Sequence, residues 1–202
     1  KHLIFGKRKI RVFHEPKPDK LPWKKEGIDL VIECTGHFTA RDEAVKHIKA
    51  GAKKVLISAP AKDHDVTIVY GVNNEMLKKQ HTIISAGSCT TNCISPMVKI
   101  LHDAYGVRAG HFVTAHAYTS TQRLIDGVDK KDVRRGRAAA VDIVPSTSGA
   151  SQSVVESVPG LKGKLEGYAL RVPVVDGSFA SLFLELEKKT SADEINALFK
   201  KK

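Results

Sequence analysis

Three short apolar runs, separated by turns and helical patterns, constrain the fold of this 202-residue chain most strongly. They occupy residues 29–34, 54–58 and 82–85. The first run is almost continuously apolar, which is typical of a strand buried in a parallel sheet. Residues 41–50 have helical character and end at Gly51. This alternation predicts βαβ units in an α/β fold with a doubly wound sheet.

The second half of the chain has a different pattern, with longer extended segments at residues 108–119, 165–175 and 178–187. Asp176-Gly177 is a turn signal that predicts a hairpin between the last two segments. A long basic connection covers residues 121–143, and residues 148–158 read as a helix. We therefore expect a doubly wound domain at residues 1–88, followed at residues 89–202 by an α+β domain with a mixed or antiparallel sheet.

Cys89 lies where sequence physics would activate a thiol. A strand at residues 82–85 precedes it, and apolar residues recur at helical spacing from Ile94 to Tyr105. Ser88 is a good N-cap, which puts Cys89 in the first helical turn. The unpaired N–H groups and the positive dipole end there favour a thiolate. The same groups, with the Ser88 and Thr90 hydroxyls, are suited to hold an oxyanion or a phosphate.

His116 is the candidate base for that thiol. It stands near the end of a predicted strand, 27 residues after Cys89. That separation is long enough for a helix and a return strand to bring the two side chains together. A neutral imidazole there would take the thiol proton and later return a proton to the substrate oxygen.

Composition narrows the remaining classes of function. Lys and Arg number 33 against 22 Asp and Glu, a net charge of +11, but the basic residues are scattered. Nucleic-acid binding is therefore a secondary expectation. No apolar run approaches the roughly 20 residues of a membrane span, and no signal-peptide pattern opens the chain. Three cysteines, without zinc spacing, predict a reducing, cytoplasmic location and no metal site.

Several ordered motifs resemble the bacterial type of phosphorylating glyceraldehyde-3-phosphate dehydrogenases. They are S-C-T-T-N-C at 88–93, H-A-Y-T at 116–119, R-R-G-R-A-A-A at 134–140, P-S-T-S-G-A at 145–150, G-L-K-G-K-L at 160–165 and L-R-V-P at 170–173. The likeness begins near Gly6 and continues in order to the end of the chain. One departure is Ala86-Gly87, where the family usually has Asn-Ala, so we expect a more flexible approach to Cys89.

The resemblance implies NAD-dependent oxidative phosphorylation of an aldehyde, with NADP not excluded. In that chemistry the Cys89 thiolate attacks the aldehyde to give a thiohemiacetal, and His116 accepts the proton. Hydride transfer to the nicotinamide leaves a thioester, which inorganic phosphate cleaves to an acyl phosphate. The substrate would be glyceraldehyde 3-phosphate and the assembly a homotetramer.

The resemblance also implies binding residues for two anions and a cofactor. Ser88, Thr90, Ser148 and Gly149 would hold the attacking phosphate at two helix starts. Thr119 and Arg171 would hold the substrate's own phosphate, and Arg134 matches a substrate-contacting arginine. The cofactor contacts would fall on Thr35, Gly36 and Ser58, at the carboxyl ends of two strands.

Two features leave alternatives open. No G-x-G-x-x-G fingerprint follows any strand, so about 60 residues, two βαβ units of the family, look absent before Lys1, and the family continues beyond Lys202. Residues 1–202 alone are therefore expected to bind NAD only weakly. The alternatives are an erythrose-4-phosphate dehydrogenase, which shares the core motifs, and a non-catalytic basic module that binds RNA or protein.

Overall fold

A computed structural model describes residues 1–130, 132–146 and 149–202 of the chain. These residues form two compact units. The first comprises residues 1–67 and 76–86, and the second comprises residues 68–75 and 87–202. A parallel sheet in the first unit and a mixed sheet in the second confirm the predicted α/β fold class.

The first unit combines a short hairpin with a parallel sheet. In chain order its elements are β1 (His2–Phe5), β2 (Arg8–Arg11), α1 (Trp23–Glu26), β3 (Leu30–Glu33), α2 (Arg41–Lys49), β4 (Lys54–Ile57), β5 (Val66–Thr67) and β6 (Ile83–Ser85). Strands β1 and β2 pair antiparallel, while the parallel sheet has the order β3-β4-β6-β5. Parallel pairing aligns the carboxyl ends of β3 and β4, where ligands of such sheets bind.

The core of the first unit lies between α2 and one face of the parallel sheet. Ala44 on α2 packs with Val55, Ile57 and Ile83 of β4 and β6. The expectation of a buried parallel strand holds for one face of β3, where Val31 and Glu33 are buried, while Leu30 and Ile32 on the other face are exposed. β3 is an edge strand, and α2 lies on only one of its faces.

The second unit places helices against a four-stranded mixed sheet. Its elements are α3 (Cys89–Tyr105), β7 (Val107–Ala117), β8 (Val144–Ser146), α4 (Ala150–Ser157), β9 (Leu165–Val172), β10 (Ser178–Leu186) and α5 (Ala192–Lys201). The sheet order is β10-β7-β9-β8, with β7 and β9 parallel and the other two pairs antiparallel. The 11-residue β7 therefore runs through the middle of the sheet.

The predicted hairpin between the last two extended segments is wrong. The chain does bend at Asp176, and Gly177 has a φ of +82°, but β9 and β10 each pair with β7 instead of with each other. In the first unit β5 is short and ends at Thr67, and the chain then passes through a 3-10 turn at Asn74–Met76 in the second unit.

Helices α3 and α4 cover one face of the mixed sheet. Ile94 and Val98 of α3, Val154 of α4 and Phe112 of β7 are fully buried in this core. Gly167 on β9 is required here, because a Cβ atom at that position would lie 2.4 Å from the Phe112 ring. Within the described residues, no helix is long and apolar enough to cross a membrane.

Candidate active site

The start of α3 is fixed by a capping box. The Ser88 hydroxyl accepts a hydrogen bond from the Thr91 N–H at 3.0 Å, and the Thr91 hydroxyl accepts one from the Ser88 N–H at 3.1 Å. Just before the cap, Gly87 adopts a φ of +67°, and a Cβ there would lie 2.8 Å from Thr91 Cγ2. The predicted N-cap is therefore confirmed, and Cys89 is the first residue of the helix.

Cys89 and His116 lie side by side. The exposed Cys89 Sγ is 3.3 Å from His116 Nε2, which is the proximity that the spacing of the two residues predicts. α3 carries Cys89 at its first turn, and β7 returns along the sheet to present His116 near its carboxyl end. A thiol and an imidazole at this distance can exchange a proton directly.

Arg171 extends this pair into a chain of three side chains. In the parallel register of β7 and β9, Arg171 stands directly beside His116. One guanidinium nitrogen, Nη1, lies 2.7 Å from His116 Nδ1 and 3.0 Å from the carbonyl oxygen of Ala117. Burial lowers the pKa of Arg171, a Cys89 thiolate raises it, and the like charge of Arg135 lowers it further.

The other residues predicted to bind anions lie on several elements of the second unit. Thr90 is buried in the first turn of α3, and Gly149 is the N-cap of α4. The Thr119 hydroxyl, after β7, lies 3.0 Å from the Thr121 hydroxyl and 3.1 Å from Gln122 Oε1. Ser148 lies outside the described residues.

Two neighbouring arginines on the loop after β7 have different surroundings. Arg134 is exposed and makes a two-point ion pair with Asp132, at 3.0 Å and 2.8 Å, which lowers the pKa of Asp132. Arg135, which the motif alone did not distinguish, is half-buried and close enough for its charge to act on Arg171. A sequence pattern of adjacent arginines gives no signal that separates the two.

The predicted cofactor residues follow the carboxyl ends of β3 and β4. Thr35, Gly36 and Ser58 are exposed, and the Ser58 N–H donates to the Glu33 carbonyl at 3.0 Å, which joins the two turns. Gly36 has a φ of +75°, and no atom lies within 4 Å of the Cβ position. An open, glycine-containing turn at the end of a parallel strand fits the close approach of a dinucleotide.

A buried polar network that sequence reasoning missed supports the Thr35 turn. The Trp23 indole N–H donates to His47 Nδ1 at 3.0 Å, and His47 Nε2 lies 3.1 Å from a carboxylate oxygen of Glu33. The other Glu33 oxygen accepts from the Thr35 N–H at 2.7 Å and from the Thr35 hydroxyl. The only sequence signal was an acid at the end of an apolar run.

Fold and geometry together define a class of protein: a chain with a Rossmann-type parallel sheet and a cysteine–histidine site on a second, mixed-sheet unit. Among the described residues, no group of three or more His, Cys, Asp or Glu side chains could hold a metal ion.

Comparisons with known proteins give the family. A model of the glyceraldehyde 3-phosphate dehydrogenase C-terminal domain matches residues 88–202, and one of the NAD binding domain of the same proteins matches residues 1–41. The chain belongs to the glyceraldehyde-3-phosphate dehydrogenase family, which confirms the resemblance. The match of the NAD binding domain supports NAD as the cofactor.

Individual relatives agree with the domain models. A glyceraldehyde-3-phosphate dehydrogenase of Clostridium pasteurianum is 50% identical over 199 residues, covering 98% of this chain and 60% of the relative. One of Streptomyces coelicolor is 51% identical over 193 residues, covering 95% of this chain and 57% of the relative. The cytosolic glyceraldehyde-3-phosphate dehydrogenase of Nicotiana tabacum is 46% identical over 200 residues, covering 99% of this chain and 61% of the relative. The chain thus spans about 60% of the length of these relatives.

Proposed function

We propose that the protein catalyses NAD-dependent oxidative phosphorylation of glyceraldehyde 3-phosphate to 1,3-bisphosphoglycerate. The observation that carries this proposal is the 3.3 Å contact between Cys89 Sγ, at a helix start, and His116 Nε2. The names of the relatives favour this substrate over erythrose 4-phosphate and favour an enzyme over a non-catalytic binding module.

Cys89 and His116 have complementary roles in this mechanism. The Cys89 thiolate attacks the aldehyde carbon, and the first helical turn stabilises negative charge at that point. His116 Nε2 removes the proton from the hydroxyl of the resulting thiohemiacetal as the carbonyl re-forms. Bound NAD supplies the hydride acceptor. The thioester on Cys89 is then cleaved by inorganic phosphate, which regenerates the thiolate.

The anion sites are proposed on the same unit. Ser88, Thr90, Ser148 and Gly149 bind the attacking phosphate, and Thr119, Arg134 and Arg171 bind the substrate. A guanidinium is suited to a phosphate ester, because its planar fork makes two parallel hydrogen bonds. Arg134 must leave Asp132 to take this role, since the ion pair occupies its donors in the present structure.

The cofactor site is proposed on Thr35, Gly36 and Ser58. These residues bind and orient NAD at the carboxyl ends of β3 and β4. The Glu33 carboxylate holds the Thr35 hydroxyl in place by accepting a hydrogen bond from it. In this proposal a dinucleotide-binding domain covers residues 1–88, and the catalytic domain covers residues 89–202.

Homotetramer formation and a cytoplasmic location belong to the same proposal. One face of the mixed sheet exposes Tyr168, Phe179 and Phe183, and exposed aromatic groups on a sheet face favour association with another chain. The three cysteines are free, which suits a reducing compartment.

The first experiment measures aldehyde-dependent reduction of NAD by protein purified from its native source, with and without phosphate. We expect turnover with glyceraldehyde 3-phosphate, and a much slower rate when phosphate is omitted because the thioester accumulates. Preference for erythrose 4-phosphate would redirect the substrate assignment. No reduction with either aldehyde would refute the enzymatic proposal.

A second experiment tests the nucleophile without any cofactor. Cys89 and Cys93 are both exposed on α3, one turn apart, so Cys93 is an internal control for simple accessibility. Iodoacetamide should alkylate Cys89 much faster than Cys93 or Cys34, and Cys89→Ser should abolish formation of the acyl-enzyme. Equal labelling of the three cysteines in a mass spectrum would contradict the proposed role.

A further inference from the structure

Arg171 makes a contact with His116 that substrate binding alone does not require. The parallel register of β7 and β9 places the two residues side by side, and Arg171 Nη1 lies 2.7 Å from His116 Nδ1. A guanidinium only donates hydrogen bonds, so this contact requires an unprotonated Nδ1 that accepts.

The same ring nitrogen has a second partner with the opposite requirement. His116 Nδ1 also lies 2.7 Å from the carbonyl oxygen of Ala117, which only accepts hydrogen bonds. A single nitrogen of a neutral imidazole either accepts from Arg171 or donates to Ala117. The site therefore has two alternative arrangements of one proton.

These arrangements differ at the nitrogen that faces the nucleophile. When Nδ1 accepts from Arg171, the proton of the neutral ring is on Nε2, 3.3 Å from Cys89 Sγ, and Nε2 has no lone pair for another proton. When Nδ1 donates to Ala117, the Nε2 lone pair faces Cys89. Only the second arrangement makes neutral His116 a base.

We propose that Arg171 is a positioning residue that sets which nitrogen of His116 carries the proton, and that a phosphate monoester bound by Arg171 moves the proton to Nδ1. The inference rests on the proposed function, in which Arg171 binds the substrate phosphate. One proton is lost from Nε2 to solvent and one is gained at Nδ1, so the ring stays neutral. The base thus becomes available when a phosphorylated substrate is present.

The surroundings of Arg171 favour such an anion. Its Nε atom is buried and has no hydrogen-bond partner among the residues that the structure describes. Burial lowers the pKa of Arg171, and so does repulsion by the like charge of Arg135, which a bound anion would compensate. A phosphate dianion satisfies the Nε donor and reduces this repulsion, which draws the guanidinium away from His116.

The test reads the proton directly. Long-range proton–nitrogen correlation spectra of protein labelled with ¹⁵N-histidine distinguish protonated from unprotonated ring nitrogens, at an alkaline pH where an ordinary imidazole is neutral. Comparison with the spectrum of His116→Asn assigns His116 among the nine histidines. We expect an unprotonated Nδ1 without ligand, and reversal of the two nitrogen shifts on saturation with glycerol 3-phosphate. Inorganic phosphate, measured separately, should reverse the two nitrogen shifts less completely, because the proposed site at Arg171 binds a phosphate monoester.

Variants separate a positioning role from a structural one. Arg171→Gln should show the protonated Nδ1 without ligand and no response to glycerol 3-phosphate, whereas Arg171→Lys, which still donates, should retain the unprotonated Nδ1. Arg108→Gln is the matched control, because Arg108 is an exposed arginine on β7 that pairs with Glu185 at 2.7 Å, and it should behave as the parent protein.

Several outcomes would overturn the inference. A protonated Nδ1 in the ligand-free protein, an unchanged pattern in Arg171→Gln, or the absence of glycerol 3-phosphate binding would each do so. Saturable binding without any reversal would refute the proton switch while leaving the proposed enzyme intact. Reversal in a protein without dehydrogenase activity would instead refute the proposed function alone.

Discussion

Two histidines, one in each unit, take part in hydrogen-bonded chains of opposite character. His47 is only 4% exposed, and its two ring nitrogens meet one donor, the Trp23 indole, and one acceptor, the Glu33 carboxylate. A neutral ring with its proton on Nε2 satisfies both partners. His116 is half-buried, and its Nδ1 meets a donor and an acceptor at the same distance, 2.7 Å.

This difference in hydrogen-bond partners distinguishes His47, which has a structural role, from His116, which has a functional one. The partners of His47 agree on one tautomer, so the network is rigid and holds the Thr35 turn in place. The two partners of His116 Nδ1 favour different tautomers, and Nε2 faces the exposed thiol of Cys89. A buried polar network stabilises a fold when every donor has an acceptor. A site that transfers protons instead needs a group that can hold its proton in more than one position.

The largest expected effect concerns catalysis at His116. His116→Asn should slow turnover by about 10² to 10⁴-fold, the usual contribution of a general base. It should also slow alkylation of Cys89 at neutral pH, because no imidazole then lies beside the thiolate to stabilise it. The measurements are steady-state kinetics and iodoacetamide labelling. His111→Asn is the control, because His111 is exposed on the same strand and stacks on Phe183, and it should leave both rates unchanged. Equal rates in both variants would assign the proton transfer to another group.

The sequence predicts some of this arrangement because some of its signals are local. The strand before Cys89, the Ser88 cap and the helical spacing after it lie within about 25 residues, and each is a short-range pattern. The pairing of His116 with Arg171, 55 residues apart, depends on the strand register, which no local pattern specifies. The hairpin error has the same origin, since the chain does bend at Asp176, but β9 and β10 both pair with β7.

The His47 network was missed for a related reason. His47 is one of several polar residues on α2, and Glu33 is the only acid in β3. Only the packing of α1, α2 and β3 brings their side chains and Trp23 together. Residue types and spacing therefore predicted the fold class and the nucleophile's position, but not the networks that orient side chains.

The second prediction tests whether His47 has a structural role. His47→Leu should lower the free energy of unfolding by about 3 kcal/mol, because the buried Glu33 carboxylate loses a partner. Urea unfolding measures this loss. Combining the change with Glu33→Gln should recover part of the stability, since no buried charge remains. Lys53→Ala, which breaks an exposed ion pair with Asp29, should leave the melting temperature unchanged.

A third prediction uses Asp65, another fully partnered group of the first unit. Burial alone would raise the pKa of Asp65, but hydrogen bonds from the Ile83 and Thr82 N–H groups and from Arg41 lower it to about 2. Because the pKa is lowered on folding, the carboxylate stabilises the fold at pH values above 3.8, its pKa in the unfolded chain. This contribution is lost as the pH falls toward 2. Asp65→Asn should therefore cost about 2 kcal/mol at pH 7.

The pH dependence gives the decisive measurement for Asp65. Urea unfolding at several pH values should show the difference between parent and Asp65→Asn shrinking below about pH 4. Asp63→Asn is the control, because Asp63 is exposed and has a φ of +53° that asparagine also tolerates. A difference that is independent of pH would mean that the amide disturbs packing instead of removing a stabilising charge.

The smallest expected effect concerns the first link of the His47 chain. Trp23→Phe keeps an aromatic ring but removes the N–H donor to His47 Nδ1, so it should destabilise the protein by about 1 kcal/mol. Trp23 is the only tryptophan, so far-ultraviolet circular dichroism must replace fluorescence as the probe. In the His47→Leu background the donor has already lost its acceptor, and Trp23→Phe should cost much less. Additive losses in this double-mutant cycle would show that the indole contributes by packing alone. The single tautomer of His47, which distinguishes it from His116, would then depend on the contact with Glu33 and not on the indole N–H.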